Sequence, residues 1–301
     1  MANRSVEQKP SDTALLTALR RAIANHDFAN GKFGPDDLAE FFLPNYFRFF
    51  LKFQRIRTKA QKRLDGFFPG LTEYIIARTA YFDGLFVEAL NRNIPQIVLL
   101  GAGYDSRAYR FARKNQGTRI FELDIAPTQT RKRKCLEKAK IEIPQFVKYA
   151  PINFNAESLK DVLERAGYES HAETLFVWEG VTYYLDPESV DATLEFIRSS
   201  SNAKSRIAFD YTISITDENL DTYYGVKEFV RAMKQHHANE GLLFSIAEGQ
   251  EAAFFEQRAL RIVQRLNNVE IERTYLTDDN GILLGQMTGH FRFAMAARNE
   301  T

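Results

Sequence analysis

Four short stretches place chemically useful residues where an apolar run gives way to polar sequence: Gly101-Ala102-Gly103, Glu122-Leu123-Asp124, Asn153-Phe154 and Glu179. Two glycines one residue apart let a backbone approach a nucleotide or nucleoside closely. A carboxylate about 20 residues further on, here Asp124, can accept both hydroxyls of an adenosine ribose. Asn153 and Phe154 offer an amide for the edge of a base and an apolar face for its ring. Glu179 can meet a cation. Taken singly, each has a plainer reading. The dinucleotide fingerprint wants a third glycine where this chain has Ser106, so the glycine pair can be an ordinary turn. Asp124 can cap a helix before Pro127, and Asn153 can serve as a turn residue. Asp186, followed by Pro187, reads as a structural helix start rather than a site residue.

These stretches need a scaffold that brings strand ends together. From residue 95 onward, short β-type runs alternate with helical ones. Strands are expected at 97–103, 118–124, 145–154, 174–180 and 206–212, with helices over SRAYRFARKN, PTQTRKRKCLEKAK, SLKDVLERAGY and PESVDATLEFIRSS. That alternation predicts parallel βαβ units and an α/β, doubly wound, mostly parallel Rossmann-like sheet. In such sheets ligands sit beyond the carboxyl ends of the strands, where the strand order reverses, so the four stretches fall where a site belongs. Residues 1–90 read as an N-terminal helical cap region, with apolar Leu15, Leu16, Leu19, Ala22 and Ile23 at helical spacing. Residues 91–301 read as the Rossmann-like domain, with a helical insertion at about 214–248. EAAFFEQRALRIVQRLN (251–267) is expected as a helix. NVEIERTYL and HFRFAMAAR are expected as a closing strand pair, which brings the sheet to seven strands.

Composition narrows the function classes. The chain carries 40 Lys plus Arg against 39 Asp plus Glu, and this balance gives no overall field for nucleic acid or an anionic membrane. The basic run RKRKCLEKAK reads as a solvated helix face. One cysteine, Cys135, permits no intrachain disulfide and no cysteine-rich metal site, and no metal is expected. No apolar run approaches the ~18 residues a membrane span needs, and MANRSVEQKP lacks the apolar core of a signal peptide. A cytoplasmic protein is expected, with neither nucleic acid nor membrane as partner.

The segments "ARTAYFDGLFVEAL", "VLLGAGYDSRAYRF", "FELD" and "WEGVTYYL", in that order, resemble the leucine carboxyl methyltransferase-type family of class I S-adenosylmethionine-dependent methyltransferases. They cover most of Leu71 to Arg198. The resemblance implies S-adenosylmethionine as cofactor, S-adenosylhomocysteine as product, and an antiparallel final strand. By the same resemblance Arg78 binds the methionine carboxylate, Gly101, Ala102 and Gly103 line the methionine and ribose, Asp124 takes the ribose hydroxyls, and Glu179 approaches the ammonium group. The family commonly has Asp-Leu where this chain has Asn153-Phe154, so the adenine contact departs from the pattern. An N-terminal basic residue also reaches the cofactor in the family, and Arg20 or Arg21 is the match.

Methyl transfer from a sulfonium is an in-line displacement, in which alignment alone can contribute ~7–11 kcal/mol. A carboxylate acceptor, with a pKa of ~4, is already ionised and needs no general base, whereas a phenol of pKa ~10 needs one nearby. His236 and His237 are the clustered histidines, more typical of a helix surface than of catalysis, and no catalytic side chain is assigned. Tyr183 is either core or the wall of an acceptor pocket. The expected acceptor is the carboxylate, or another oxygen, of a small molecule or peptide terminus. The alternatives are an NAD(P)-dependent oxidoreductase, which the missing third glycine disfavours, and a non-catalytic nucleoside-binding protein of the same fold. Asp124→Ala and Arg78→Ala are both expected to weaken cofactor binding with the fold intact.

Overall fold

A computed structural model describes residues 11–28, 36–154, 156–236 and 242–299, with the backbone alone at His236. His237 lies outside the described residues. Helix α1 (Asp12–Asp27) starts where the Ser11 hydroxyl accepts the Ala14 N–H at 3.0 Å. Helices α2 (Asn45–Leu51), α3 (Gln54–Phe67) and α4 (Leu71–Asn91) follow. Then come β1 (Gln96–Leu100), the short α5 (Arg107–Arg110), β2 (Arg119–Asp124), α6 (Ala126–Lys138), β3 (Val147–Pro151) and α7 (Leu159–Arg165). β4 (Thr174–Trp178), α8 (Pro187–Ser200) and β5 (Arg206–Thr212) complete the alternating part. The chain ends through α9 (Val226–His236), α10 (Glu251–Glu256), β6 (Leu260–Leu266), α11 (Asn268–Tyr275) and β7 (Phe291–Arg298).

The seven strands lie in the order β3-β2-β1-β4-β5-β7-β6. The first five are parallel, and β7 runs antiparallel between β5 and β6. The order in which strands are added reverses between β1 and β4, which opens the crevice at their carboxyl ends. Successive residues of β1 feed opposite faces. Ile97 and Leu99 join a core with α1, α4 and α11, while Val98 and Leu100 join one with α7 and α8. Helices therefore cover both faces, and β1 is buried along its whole length.

Two expected elements are replaced. The stretch 251–267 is not one helix: α10 stops at Glu256, Ala259 takes a left-handed φ of +51°, and Leu260–Leu266 runs on as β6. NVEIERTYL is not a strand either. Asn267 accepts the Glu270 N–H while the Glu270 side chain accepts that of Asn267, a capping box that starts α11. The closing strand pair is thus β6 with β7. The helix expected after β1 shrinks to α5 and a single 3-10 turn, Ala112–Lys114. The face of α6 is not fully solvated, because Lys132 is buried with its ammonium 2.7 Å from the Glu122 carboxylate. Tyr109 donates to that same carboxylate at 3.1 Å.

Candidate active site

The tips of β1 and β2 meet at Asp124. One carboxylate oxygen accepts the Gly103 N–H at 2.6 Å, and the other accepts the Ile125 N–H at 2.7 Å. Burial pushes this carboxyl up from its ordinary range, and the two N–H donors oppose the rise. The Ala102 N–H continues the ladder to the Leu123 carbonyl at 2.7 Å. Gly101 leaves β1 with φ +69°, and a Cβ there would stand 2.4 Å from Val181 Cγ2. Only glycine fits both the backbone and the space.

Helix α1 lies across this turn. Ala14 approaches Gly103, and the Ser11 N–H donates to Thr128 Oγ1 at 3.3 Å. The two candidate arginines of α1 diverge. Arg20 pairs with Thr72 and, at 3.6 Å, with Asp65. Arg21 donates to the Tyr104 carbonyl at 2.8 Å and pairs with Asp36 at 2.8 Å. Of the two, Arg21 is the one that reaches the loop after β1.

Beyond β4, Glu179 joins Arg78 of α4 at 3.0 Å. Arg78 also faces the Tyr183 hydroxyl at 3.2 Å, the Tyr74 hydroxyl at 3.4 Å and the Asp210 carboxylate at 3.4 Å. Asp210 is fully buried and accepts the Gly180 N–H at 2.6 Å as well as the Tyr74 hydroxyl. Gly180, with φ +74°, leaves room for the guanidinium, since a Cβ there would lie 2.9 Å from Arg78 Nη1. Desolvation acts to lower the Arg78 pKa, but the neighbouring Tyr74, Tyr183, Glu179 and Asp210 hold it well above the usual range. The phenols of Tyr74 and Tyr183 are pushed well up by burial and by Asp210, so both stay protonated.

A second arginine, which the sequence reading missed, completes the array. Arg107 is buried at the start of α5 and pairs with Glu179 at 2.7 Å, Asp83 at 2.7 Å and Asp105 at 2.6 Å. Arg110 extends the chain of charges from Asp83 at 2.7 Å to Asp36 at 3.5 Å, and Asp36 returns to Arg21. Arg107 Nη2 is buried with no protein partner, and Arg78 Nη2 makes none of the bonds above. Two guanidinium donors are thus left beside the Glu179 carboxylate, a donor set suited to a bound carboxylate.

The structure brings Gly101, Ala102, Gly103 and Asp124 into one turn, and Arg78, Glu179 and Tyr183 into a second cluster touching it through Val181. Asn153 lies just past Ile152, whose N–H donates to the Asp124 carbonyl at 3.0 Å. Its own carbonyl accepts the N–H groups of Ala156 and Glu157, and the Glu157 side chain accepts its N–H, which is turn chemistry. Phe154 packs against the core layer of α7 and α8. Asp186 accepts the Ser189 N–H at 2.7 Å and caps α8.

The leucine carboxyl methyltransferase family model matches residues 14–198, more than half of the chain. The chain belongs to the leucine carboxyl methyltransferase family. Among the relatives of this family member, a Mycobacterium avium protein is 30% identical over 166 residues, 55% of this chain and 53% of that protein. A Bacillus subtilis protein matches equally, at 30% over 166 residues with the same coverage. Both are named as candidate S-adenosyl-L-methionine-dependent methyltransferases. The match spans about half the length of these curated relatives. Among solved structures, a candidate methyltransferase from Thermobifida fusca superposes with a TM-score of 0.59 at 15% identity, covering 98% of this chain and 97% of its own. A Streptomyces avermitilis protein gives 0.57 at 12% identity, covering 93% and 97%. These likenesses establish the shared fold.

Proposed function

We propose that this member of the leucine carboxyl methyltransferase family is an S-adenosylmethionine-dependent methyltransferase that transfers the methyl group to oxygen, with a carboxylate of a small molecule or peptide terminus as acceptor. One observation carries the reading. A hydrogen-bonding carboxylate, Asp124, and the arginine–carboxylate array of Arg78, Arg107 and Glu179 flank the same glycine turn at the strand-order reversal.

In this reading Asp124 takes the ribose hydroxyls, exchanging its bond to the Gly103 N–H for two from the ligand. The free Nη2 donors of Arg78 and Arg107 take the methionine carboxylate, Glu179 takes the ammonium group, and Arg21 holds the turn through Tyr104. Asn153 and Phe154 border the adenine. When bound, S-adenosylmethionine supplies a methyl group on a positively charged sulfur. The chain's own task is then alignment. A carboxylate acceptor is ionised at neutral pH and calls for no base. The protonated phenols of Tyr74 and Tyr183 are suited to donating hydrogen bonds rather than removing a proton. Tyr183 is the residue proposed to face the acceptor. A cytoplasmic setting fits the free thiol of Cys135.

The test is thermal unfolding of the full chain with S-adenosylmethionine, S-adenosylhomocysteine, NAD⁺ and NADP⁺. A ligand at ~100 times its dissociation constant adds ~2.7 kcal/mol, enough for several degrees. A shift with the two sulfur nucleosides alone is expected. A shift with a dinucleotide would make the oxidoreductase reading primary.

A further inference from the structure

Residues 45–64, NYFRFFLKFQRIRTKAQKRL, contain seven Lys or Arg and no Asp or Glu, on a chain whose charges nearly balance as a whole. Arg57 is buried against Asp27, and Arg48 reaches Glu40 at 4.0 Å. Lys52, Arg55, Lys59, Lys62 and Arg63 are exposed, and none has an ion-pair partner among the described residues. The same two helices, α2 and α3, expose large apolar side chains: Tyr46 at 60%, Phe49 at 55%, Phe53 at 48%, Phe50 at 45% and Ile56 at 41%. Phe49 is in edge contact with both Phe50 (5.7 Å between centroids) and Phe53 (5.4 Å), so the phenylalanines form one cluster rather than scattered rings. Contiguous exposed apolar surface on a soluble chain marks a contact site.

From this we infer that the α2–α3 face is a docking surface for an anionic phospholipid bilayer. Phenylalanine and isoleucine side chains gain by entering the acyl boundary, and lysines and arginines beside them gain from the negative headgroups. The chemistry argues against other occupants. A second copy meeting this face by two-fold symmetry would oppose two unpaired cationic sets. Single-stranded nucleic acid is held in a groove lined by stacking rings, whereas these rings stand about half exposed on a pair of surface helices. Docking here is peripheral, since no described helix is long and apolar enough to cross a membrane. Composition averaged over the chain predicts no membrane partner; the charge is local to one face. α3 packs on α1, the helix that crosses the Gly103 turn, so a bound bilayer would lie against the elements that cover the candidate site.

The experiment is flotation of the full chain with vesicles of phosphatidylcholine alone or with about a third phosphatidylserine. Anionic vesicles are expected to bind more than about tenfold tighter than neutral ones, with the difference shrinking as salt rises. Phe49→Ser/Phe53→Ser and, separately, Lys59→Glu/Lys62→Glu should each weaken that binding more than about tenfold. All four positions are exposed, so circular dichroism and cofactor affinity should match the parent chain. Three results would overturn the inference. One is absence of binding to anionic vesicles by the folded parent. Another is vesicle binding that survives both double variants. The third is tighter capture by a single-stranded oligonucleotide, or by self-association in sedimentation velocity that the phenylalanine variant abolishes.

Discussion

Arg107 and Glu179 stand 2.7 Å apart, and that contact joins two sets of charges that would otherwise be separate. On one side lie Asp105, Asp83, Arg110, Asp36 and Arg21, which tie α1 and the loop after β1 together. On the other lie Arg78 and Asp210, anchored in α4 and β5. This contact holds the loop after β4 to the start of α5 by paired charge, beside the apolar approach of Val181 to Gly101. Paired buried charges specify geometry strictly, since losing either partner leaves the other desolvated.

Asp124→Ala should weaken S-adenosylmethionine binding by at least about tenfold, in keeping with the ~1.5–3 kcal/mol of hydrogen bonds to a charged group. Titration calorimetry on the variant, with unfolding measured alongside, reads this directly. Affinity equal to that of the parent chain would remove Asp124 from the site.

Arg78 should behave differently from the expectation drawn from sequence, in which its removal leaves the fold intact. Its guanidinium pairs with the fully buried Asp210 and shares Glu179 with Arg107. Arg78→Ala should therefore cost about 3–5 kcal/mol in urea unfolding, besides abolishing cofactor binding. Arg78→Lys keeps the charge but not the planar fork, and should recover stability more than affinity. Equal recovery of both would argue against bidentate carboxylate recognition.

The Glu122–Lys132 pair joins β2 to α6, with both side chains buried. Lys132→Ala should destabilise by about 3–5 kcal/mol because Glu122 is left buried without its counter-charge. The double variant Glu122→Gln/Lys132→Met, which leaves no buried charge and keeps an acceptor for Tyr109, should regain more than half of that loss. Urea midpoints of the three proteins decide it.

Acid should act through His290, which is fully buried beside Phe229 and held down to about 3 by burial and by Arg292. The sign follows from which state takes up the proton. Below its ordinary value near 6.5 the unfolded chain binds a proton that the folded chain refuses. Stability from this group is therefore present above pH ~6.5 and is lost at about 1.4 kcal/mol per pH unit as pH falls towards ~3. His290→Gln should flatten that part of the stability profile between about pH 6 and 4. Parallel profiles for the two proteins would show that His290 protonates without unfolding.

What was legible in the sequence was what local pattern controls. The five parallel strands stand within a few residues of their expected places, and Asp124 and Gly103 meet as strand-end positions should. The segment around β6 misled for a physical reason. AAFFEQRALRIVQRL keeps apolar residues at spacings that suit a helix, and a half-exposed edge strand with a bulge at Ile262/Gln264 imposes no strict alternation. The N-terminal signal of α11, Asn267 with Glu270 three positions on, was readable but was masked by the β-branched residues after it. Arg107 and Lys132 look like surface residues because the fold is needed to bring Asp83 and Glu179 to the first and Glu122, on the strand before α6, to the second. Asp210 left a better clue, a lone carboxylate inside the apolar run RIAFDYT, where a buried acid needs a cation or donors to meet it.

The placement of β7 has a consequence for how the protein is made. It is the last strand in the chain, yet it lies inside the sheet, paired through Arg206↔Ala297 with β5 and through Leu260↔Arg298 with β6. While the ribosome is still extending the chain, β1 to β5 can assemble as each βαβ unit emerges, but the outer side of β5 has nothing to pair with. That side is an open edge bearing Phe209 and Tyr211, and an unpaired apolar edge is a template for pairing with the wrong strand. Insertion of β7 between β5 and β6 is the event that closes this edge.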